Sequence, residues 1–536
     1  MEMTMGYSCV ELNHLPDEIL LIIFKKLNNV ALLYSLIGVD VRLNKIVYDS
    51  IFTKHLVLMT FASNGCVYSL ADLILDRFCS YILPEIRQKI EWLELESSSM
   101  KRILLATNYP NLYKLGIYKI QAERAVHLFS DETLFHCTLK KQISALVIDT
   151  DGDGGQTATE NVHRLLFTHI LTTFTNLQYL SFGPSSFWYQ QLSFNISSPT
   201  VISSILLKLC VCLDNFIDCL YLLDGRFNQL RTFYVKIEFI TISRLTINNK
   251  EKLPNLRSFS LYSDISTDLY DELIVPLLHR MPNLEKLDLS LLFWVKKTFI
   301  DGNVLKTSII NHMPRLNKFT FNIRSSVHFD DHINLPSNVD IQKTFKDFKD
   351  NQIISCVDYY SKTKTSRCHI YSYPYKLKYY NDITNNFAGG LFKCVRKVSL
   401  VDERSFEHKF FLQIAQSFPL LRELTVINQK RQIDKQIRKS KNENKDLPII
   451  EYPHLAQLDL TGAHIDYHEQ FLVDTKTYLP NNLRLSMNCR SAKKVTRNFR
   501  RNTTRSNCAK LSYVYLFRQF KFPEHLKDYF PHAEIF

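Results

Sequence analysis

The sequence predicts an α/β protein in which a short helical head precedes a long array of strand–helix repeats stacked as a curved solenoid. Two observations predict it. A short pattern, apolar–x–x–apolar–x–apolar, recurs eleven times from residue 90 onward, and each copy ends in the period-two alternation of a strand with one buried face. Residues 12–60 lack that pattern and carry apolar residues at helical spacing instead.

In the head, Leu15, Ile19, Ile22, Ile23 and Leu27 recur at helical spacing. Pro16 suits a first helical position, and Asp17 and Glu18 suit the positive end of the helix dipole. Asn28 and Asn29 end this helix. A second helical run covers Ala31–Ile37 with Gly38 as its C-terminal cap, and a third covers Arg42–Asp49. Three short helices expose more apolar surface than they can bury among themselves, so the head is expected to dock against something. Residues 1–11 read as a flexible N-terminus.

The stretch LPDEILLIIFKKL at 15–27, followed by LYSLIGVDVRLNKIVYD at 33–49, resembles the F-box. Leu15, Pro16, Glu18, Ile19, Ile23, Phe24 and Leu27 sit on matching positions. The resemblance implies that these residues bind a Skp-type adaptor and, through it, a cullin. The chain would then be the substrate-recognition subunit of a cullin-RING ubiquitin ligase, supplying proximity while the chemistry happens elsewhere.

The repeats occupy residues 61–536. Their motifs begin at Ile90, Leu112, Ile143, Leu177, Leu230, Leu256, Leu284, Leu316, Val395, Leu421 and Leu455, at spacings of 22, 31, 34, 53, 26, 28, 32, 79, 26 and 34 residues. The two outliers lie near twice and three times 26, as expected where units diverge or carry insertions. Helical runs fall between motifs at Val162–Phe174, Val201–Leu223, Leu269–Arg280, Val304–His312 and Phe406–Phe418. Strand plus helix at this period resembles a long, irregular leucine-rich repeat. A doubly wound sheet would show continuously apolar strands in place of Leu-x-x-Leu-x-Leu.

Composition narrows the function classes. Hydrophobic residues are 46% and charged residues 22% of the 536, which excludes wholesale disorder. The net charge is 66 − 53 = +13, and two stretches hold nearly all of it: +4 between Lys430 and Asp446, and +8 between Arg490 and Lys510. These read as solvated basic loops, near 429–446 and 490–510; with Phe499 as the one aromatic in the second, they lack stacking platforms for bases, and nucleic acid is not an expected partner. Twelve cysteines without a CxxC pair fit buried thiols in a reducing compartment. The N-terminus lacks a signal-peptide pattern, and the longest apolar stretch, Val201–Leu223, is interrupted by Lys208, Asp214 and Asp218. An intracellular chain of cytoplasm or nucleus, without a membrane partner, is expected.

Candidate chemistry is sparse. Asp149, Asp151 and Asp153 with Gly154 and Glu160 match an EF-hand loop, but the preceding apolar run reads as a repeat strand and no second hand exists, so a solvated acidic turn is preferred. His328/His332 and His464/His468 are i, i+4 pairs outside any HExxH pattern and read as surface loops. No GxSxG, P-loop or GxGxxG occurs. The chain is expected to be no enzyme and to use no metal or cofactor.

Target binding is placed on the repeat strands, where residues between the apolar positions point away from the core. Those residues are Lys114, Tyr118, Tyr179, Tyr234, Lys236, Tyr262, Lys286, Asp288, Lys318, Glu423 and Asp459. Tyrosines ringed by charge are frequent binding anchors. Two other readings stand beside the ligase: an interaction scaffold unconnected with ubiquitination, and a nucleic-acid-associated repeat protein using the basic loops.

Overall fold

The structure is a computed structural model that describes residues 14–61, 66–130, 137–151, 162–184, 191–194, 201–242, 251–329, 335–348, 352–433, 448–517 and 526–536. It is α/β, rich in parallel strands, and divides into two compact units. The first comprises Met1–Leu291 with Thr307–Phe319, the second Leu292–Lys306 with Thr320–Phe536.

The first unit opens with helices α1 (Asp17–Phe24), α2 (Asn29–Leu36), α3 (Val41–Val47) and α4 (Ser50–Thr53). Side-chain caps set three of their starts. Asn28 Oδ1 accepts from Val30 N at 2.8 Å, Asp40 Oδ1 from Arg42 N at 2.7 Å, and Asp49 Oδ1 from Ile51 N at 2.8 Å. Asn28 therefore begins α2 instead of ending α1, and Pro16 sits at the N-cap of α1, one position before the expected one. Gly38 takes φ +85°, the left-handed conformation that lets the chain leave α2. Leu20, Phe24, Leu33, Ile37, Val47 and Phe52 form the interior of this helical group. The all-helical segment expected to reach residue 60 stops at Thr53, because His55 already starts a strand.

Ten strands follow: β1 (His55–Phe61), β2 (Val67–Ser69), β3 (Trp92–Glu96), β4 (Lys114–Gln121), β5 (Ala145–Asp151), β6 (Tyr179–Gly183), β7 (Lys208–Asn215), β8 (Thr232–Phe239), β9 (Ser258–Tyr262) and β10 (Lys286–Val295). Apart from the antiparallel β1–β2 pair, each of β3 to β10 pairs in parallel with the strand before it in the ladder, starting from β1. The motif leucines explain the order. Leu93, Leu115, Leu146, Leu180, Leu209, Phe233, Phe259 and Leu287 are register partners in turn, and each is essentially buried. Burying each such side chain contributes about 1.5–3 kcal/mol, so a strand out of register would lose its whole inward set. The head is tied to the same unit: Arg77 donates to Ile37 O at 2.9 Å and Lys89 to Tyr48 O at 2.7 Å.

One expected helix is corrected. Val201–Leu223 is no continuous helix: it contains β7, followed by a short helix at Phe216–Leu222. Leu209, Val211 and Leu213 are buried while Lys208 is exposed and Cys210 and Cys212 are half-buried. The outward residues are apolar enough to hide the alternation. Leu206-Leu209-Val211 is a further copy of the motif, and it divides the 53-residue gap into 29 and 24.

β11 (Lys318–His328), which lies in the second unit from Thr320 onward, pairs antiparallel with β13 (Thr365–Tyr373), and β13 pairs antiparallel with β12 (Gln352–Tyr360), so that β13 lies between the other two. This hairpin is an insertion within the 79-residue gap between motifs, which also holds a parallel ladder strand at Tyr379–Ile383. Parallel pairing then resumes through β14 (Tyr379–Ile383), β15 (Lys397–Val401), β16 (Glu423–Ile427), β18 (Gln457–Asp459), β20 (Leu483–Asn488), β21 (Leu511–Phe517) and β22 (Glu534–Ile535), while β17 (Ile450–Glu451) pairs with β19 (Thr477–Tyr478) as a small separate sheet. Two loop expectations change here. His464 caps a helix at Ile465–Leu472 that carries His468 fully buried, and the 490–510 stretch forms helices at Cys489–Val495 and Asn502–Cys508. Most of the first basic loop, the acidic 152–160 segment and His332 lie outside the described residues.

Candidate functional site

The head presents the first candidate surface. With Leu20 and Phe24 turned inward, α1 leaves Ile19, Ile22, Ile23 and Leu27 at 42%, 58%, 38% and 51% exposure. Val39 and Val41, in and beside the turn between α2 and α3, are also exposed. Arg42 fixes this arrangement: its guanidinium lies 2.6 Å from Asp17 and donates to Leu15 O at 2.6 Å, drawing α3 against the start of α1. Pro16 and Glu18 are exposed and Leu15 is half-buried. Phe24 is the exception among the adaptor-binding residues expected from sequence. It packs edge-on against Phe52 at 6.5 Å within the head, so it supports the surface from beneath instead of touching a partner.

The second candidate surface is the outward face of the first unit's strands. Parallel in-register pairing puts Trp92, Lys114, Ala145, Tyr179 and Lys208 in one row across β3 to β7. The Lys114 ammonium lies 3.3 Å from the Trp92 ring centroid and 5.7 Å from that of Tyr179, while Lys208 approaches Tyr179 from the other side at 4.8 Å. Burial lowers the Lys114 pKa, opposed by Glu94 and reinforced by Lys208. Tyr118 fits over this region because Gly116 has no Cβ, which would stand 3.1 Å from the Tyr118 ring. Burial, then Glu94, pushes the Tyr118 hydroxyl up.

A second cluster lies on β8 to β10. Tyr234 and Tyr262 stack at 4.8 Å and 30°, the Tyr262 hydroxyl hydrogen-bonds the Asp288 carboxylate, and Lys236 lies 3.8 Å from Asp264. Lys286 begins β10, exposed, and Lys318 begins β11, its N–H donating to Glu285 O at 3.1 Å. The two remaining residues belong to the second unit. Glu423 pairs with Lys397 at 3.1 Å, and Asp459 accepts from Thr461 N at 2.9 Å. The strand face thus gathers nine of the eleven expected target-binding residues in the first unit and places Glu423 and Asp459 in the second.

Sequence reasoning missed Trp92, His55 and Lys208 on this face. His55 stacks flat on Trp92 at 3.6 Å. Trp92 occupies an outward position of the first motif and was legible there; Lys208 was hidden with β7.

No family model matches the chain, and no curated protein matches it. Among solved structures the chain is similar to a Bacteroides fragilis protein determined by a structural genomics consortium, at 14% identity over 66% of this chain and 75% of that one. The TM-score of 0.25 is too low for that likeness to carry an argument. Among the described residues, no helix is long and apolar enough to cross a membrane.

Proposed function

We propose that the chain is the substrate-recognition subunit of a cullin-RING ubiquitin ligase, with an F-box-type head and a leucine-rich-repeat-like array. The head docks on a Skp-type adaptor, and the strand face of the array captures a target protein. The observation that carries the reading is the exposed apolar strip of Ile19, Ile22 and Ile23 on α1 with Leu27 just beyond it, on a helix whose Leu20 and Phe24 are turned inward. Adjacent exposed apolar side chains on a small helical group mark a protein-binding site. That strip begins at the Leu-Pro-x-Glu-Ile sequence that resembles the F-box. The aromatic and lysine residues of the strand face supply anchors of the kind that dominate interfaces.

The test is co-purification of the full chain with a Skp-type adaptor and a cullin. Leu15→Ala with Pro16→Ala, and separately Ile19→Asp with Ile23→Asp, should abolish adaptor binding with an unchanged far-UV circular dichroism spectrum. Retained adaptor binding in both double variants sinks the assignment. Adaptor capture without any cullin would point to a scaffold instead of a ligase. For the target face, Tyr234→Ala with Tyr262→Ala should lose target capture and keep the adaptor.

A further inference from the structure

Charge is distributed unevenly over the strand face of the first unit, and that narrows what the face can hold. The strand starts form one register row, running from His55 through Trp92, Lys114 and Tyr179 to Lys208 and on to Lys286. Lys286 N donates to Arg257 O at 2.9 Å and Lys318 N to Glu285 O at 3.1 Å, so Lys318 takes the next rung. The row holds these four lysines and no acid. Lys114, Lys208 and Lys286 begin β4, β7 and β10, every third strand, which sets their backbones about 14 Å apart.

These cations lack counter-ions. Lys208, Lys286 and Lys318 are exposed and, among the described residues, form no ion pair. Aromatic rings steady the other end of the row. The Lys114 ammonium sits 3.3 Å from the Trp92 centroid, and Lys114 and Lys208 flank the Tyr179 ring at 5.7 and 4.8 Å. A lysine already held by a ring loses less freedom when a carboxylate arrives. The nearest acids of the face are engaged: Glu94 lies 3.5 Å from His55, and the Asp288 carboxylate takes the Tyr262 hydroxyl. Asp214 and Glu238 stand six residues further along their strands, about 20 Å from the row. In the second unit the strand starts are neutralised instead, with Lys397 3.1 Å from Glu423.

We propose, on the premise that this face is the target surface, that it holds an extended acidic stretch of polypeptide running across the strand starts, its carboxylates on Lys114, Lys208, Lys286 and Lys318. An extended chain covers about 14 Å in about four residues, so acids at every fourth position meet successive lysines. A nucleic-acid strand fits less well. It carries a charge on every nucleotide and would set its surplus phosphates against Glu94, Asp214 and Glu238.

Fluorescence anisotropy of the full chain, at low ionic strength, tests the proposal with a labelled peptide carrying Glu at every fourth position among Ser and Gly. It should bind more tightly than its Gln counterpart by roughly tenfold or more. Lys208→Glu with Lys286→Glu and Lys318→Glu should lose the Glu peptide and gain the Lys version of it, at an unchanged melting temperature. Gln at the same three positions should cost roughly tenfold, and serves where charge reversal disturbs folding. Arg497→Gln with Arg500→Gln removes two exposed cations between the basic helices of the second unit and should change nothing. Equal binding of the Glu and Gln peptides, binding that survives both lysine variants, or loss in the arginine variant would each overturn the proposal. Tighter binding of an oligothymidylate of equal charge would assign the row to nucleic acid and overturn it too. Failure here, with target capture still lost in Tyr234→Ala with Tyr262→Ala, removes the acidic occupant alone; capture retained in that variant removes the face itself.

Discussion

The two units spend the same motif differently. In the first, β3 to β10 add one parallel strand at a time, and the motif leucines stay in register from Leu93 to Leu287. In the second, the antiparallel strands β11 to β13 come first, and the parallel ladder from β14 onward resumes beside an aromatic cluster. There Tyr371, Tyr375, Tyr380, Phe387, Phe392 and Phe418 pack at centroid separations between 4.9 and 6.3 Å. Repetition of a local motif suffices where each strand needs only its predecessor. Where the motif lapses, large rings from distant segments have to fill the space that regular leucines fill elsewhere.

Core truncations should separate the units most strongly. Phe392→Ala removes a ring that touches six other aromatics and is expected to cost about 4 kcal/mol, against about 3 kcal/mol for Leu209→Ala in the regular ladder. Hydrogen exchange followed by mass spectrometry should show the loss spread over β13 to β16 in the first case. For Leu209→Ala it should be confined to the neighbours of β7. Equal spreading in both would break the contrast.

Acid pH should move the two units in opposite directions. Burial raises the Asp218 carboxyl to about 6, despite N–H donors from Phe194 and Asn215. Folded Asp218 keeps a proton that the unfolded chain has released by about pH 4. Its contribution is therefore present below that pH and is lost as pH rises through about 6. In the second unit, burial lowers the His468 imidazole to about 4, so its contribution is present above about pH 6.5 and is lost as pH falls through about 4. Each is worth on the order of 3 kcal/mol. Exchange protection between pH 4 and 6 should fall with rising pH around β7 and rise around Ile465–Leu472, and Asp218→Asn and His468→Gln should each flatten only its own slope.

Glycine contacts sharpen the comparison at smaller scale. A Cβ on Gly302 would stand 2.4 Å from the Thr344 carbonyl oxygen, and one on Gly183, at φ +145°, would stand 2.9 Å from Cys212 Cβ. Either alanine substitution should cost about 2 kcal/mol in thermal unfolding, the first through backbone collision and the second through strain and collision together. The smallest effect belongs to the half-buried Lys114. Lys114→Ala should cost less than about 1 kcal/mol, because the cation on Trp92 and Tyr179 remains near water. A larger loss would mean that the lysine row holds the ladder together instead of facing a partner.

Much of this was legible in the chain. All eleven motifs read from sequence are strands, since a strand's alternation is a local property that one buried face imposes. The helices α2 and α3 were legible within two residues and α1 within three, because caps and apolar spacing act over a single turn. So was the outward placement of residues such as Tyr234, Lys286 and Lys318, which follows from alternation alone. The sequence failed where burial, not pattern, decides. β7 was hidden because outward cysteines imitate an apolar helix, and His468 became core because the helix at Ile465–Leu472 packs with that side inward. Phe24 matched a docking position in the linear pattern, yet the folding of the head brings Phe52 of α4 against it. The lysine row joins residues as far apart as 114, 208, 286 and 318. No spacing rule spans such distances. Local periodicity is written in neighbouring residues, whereas which side chain is left exposed, unpaired or facing its like is set by segments that meet only when the chain has folded.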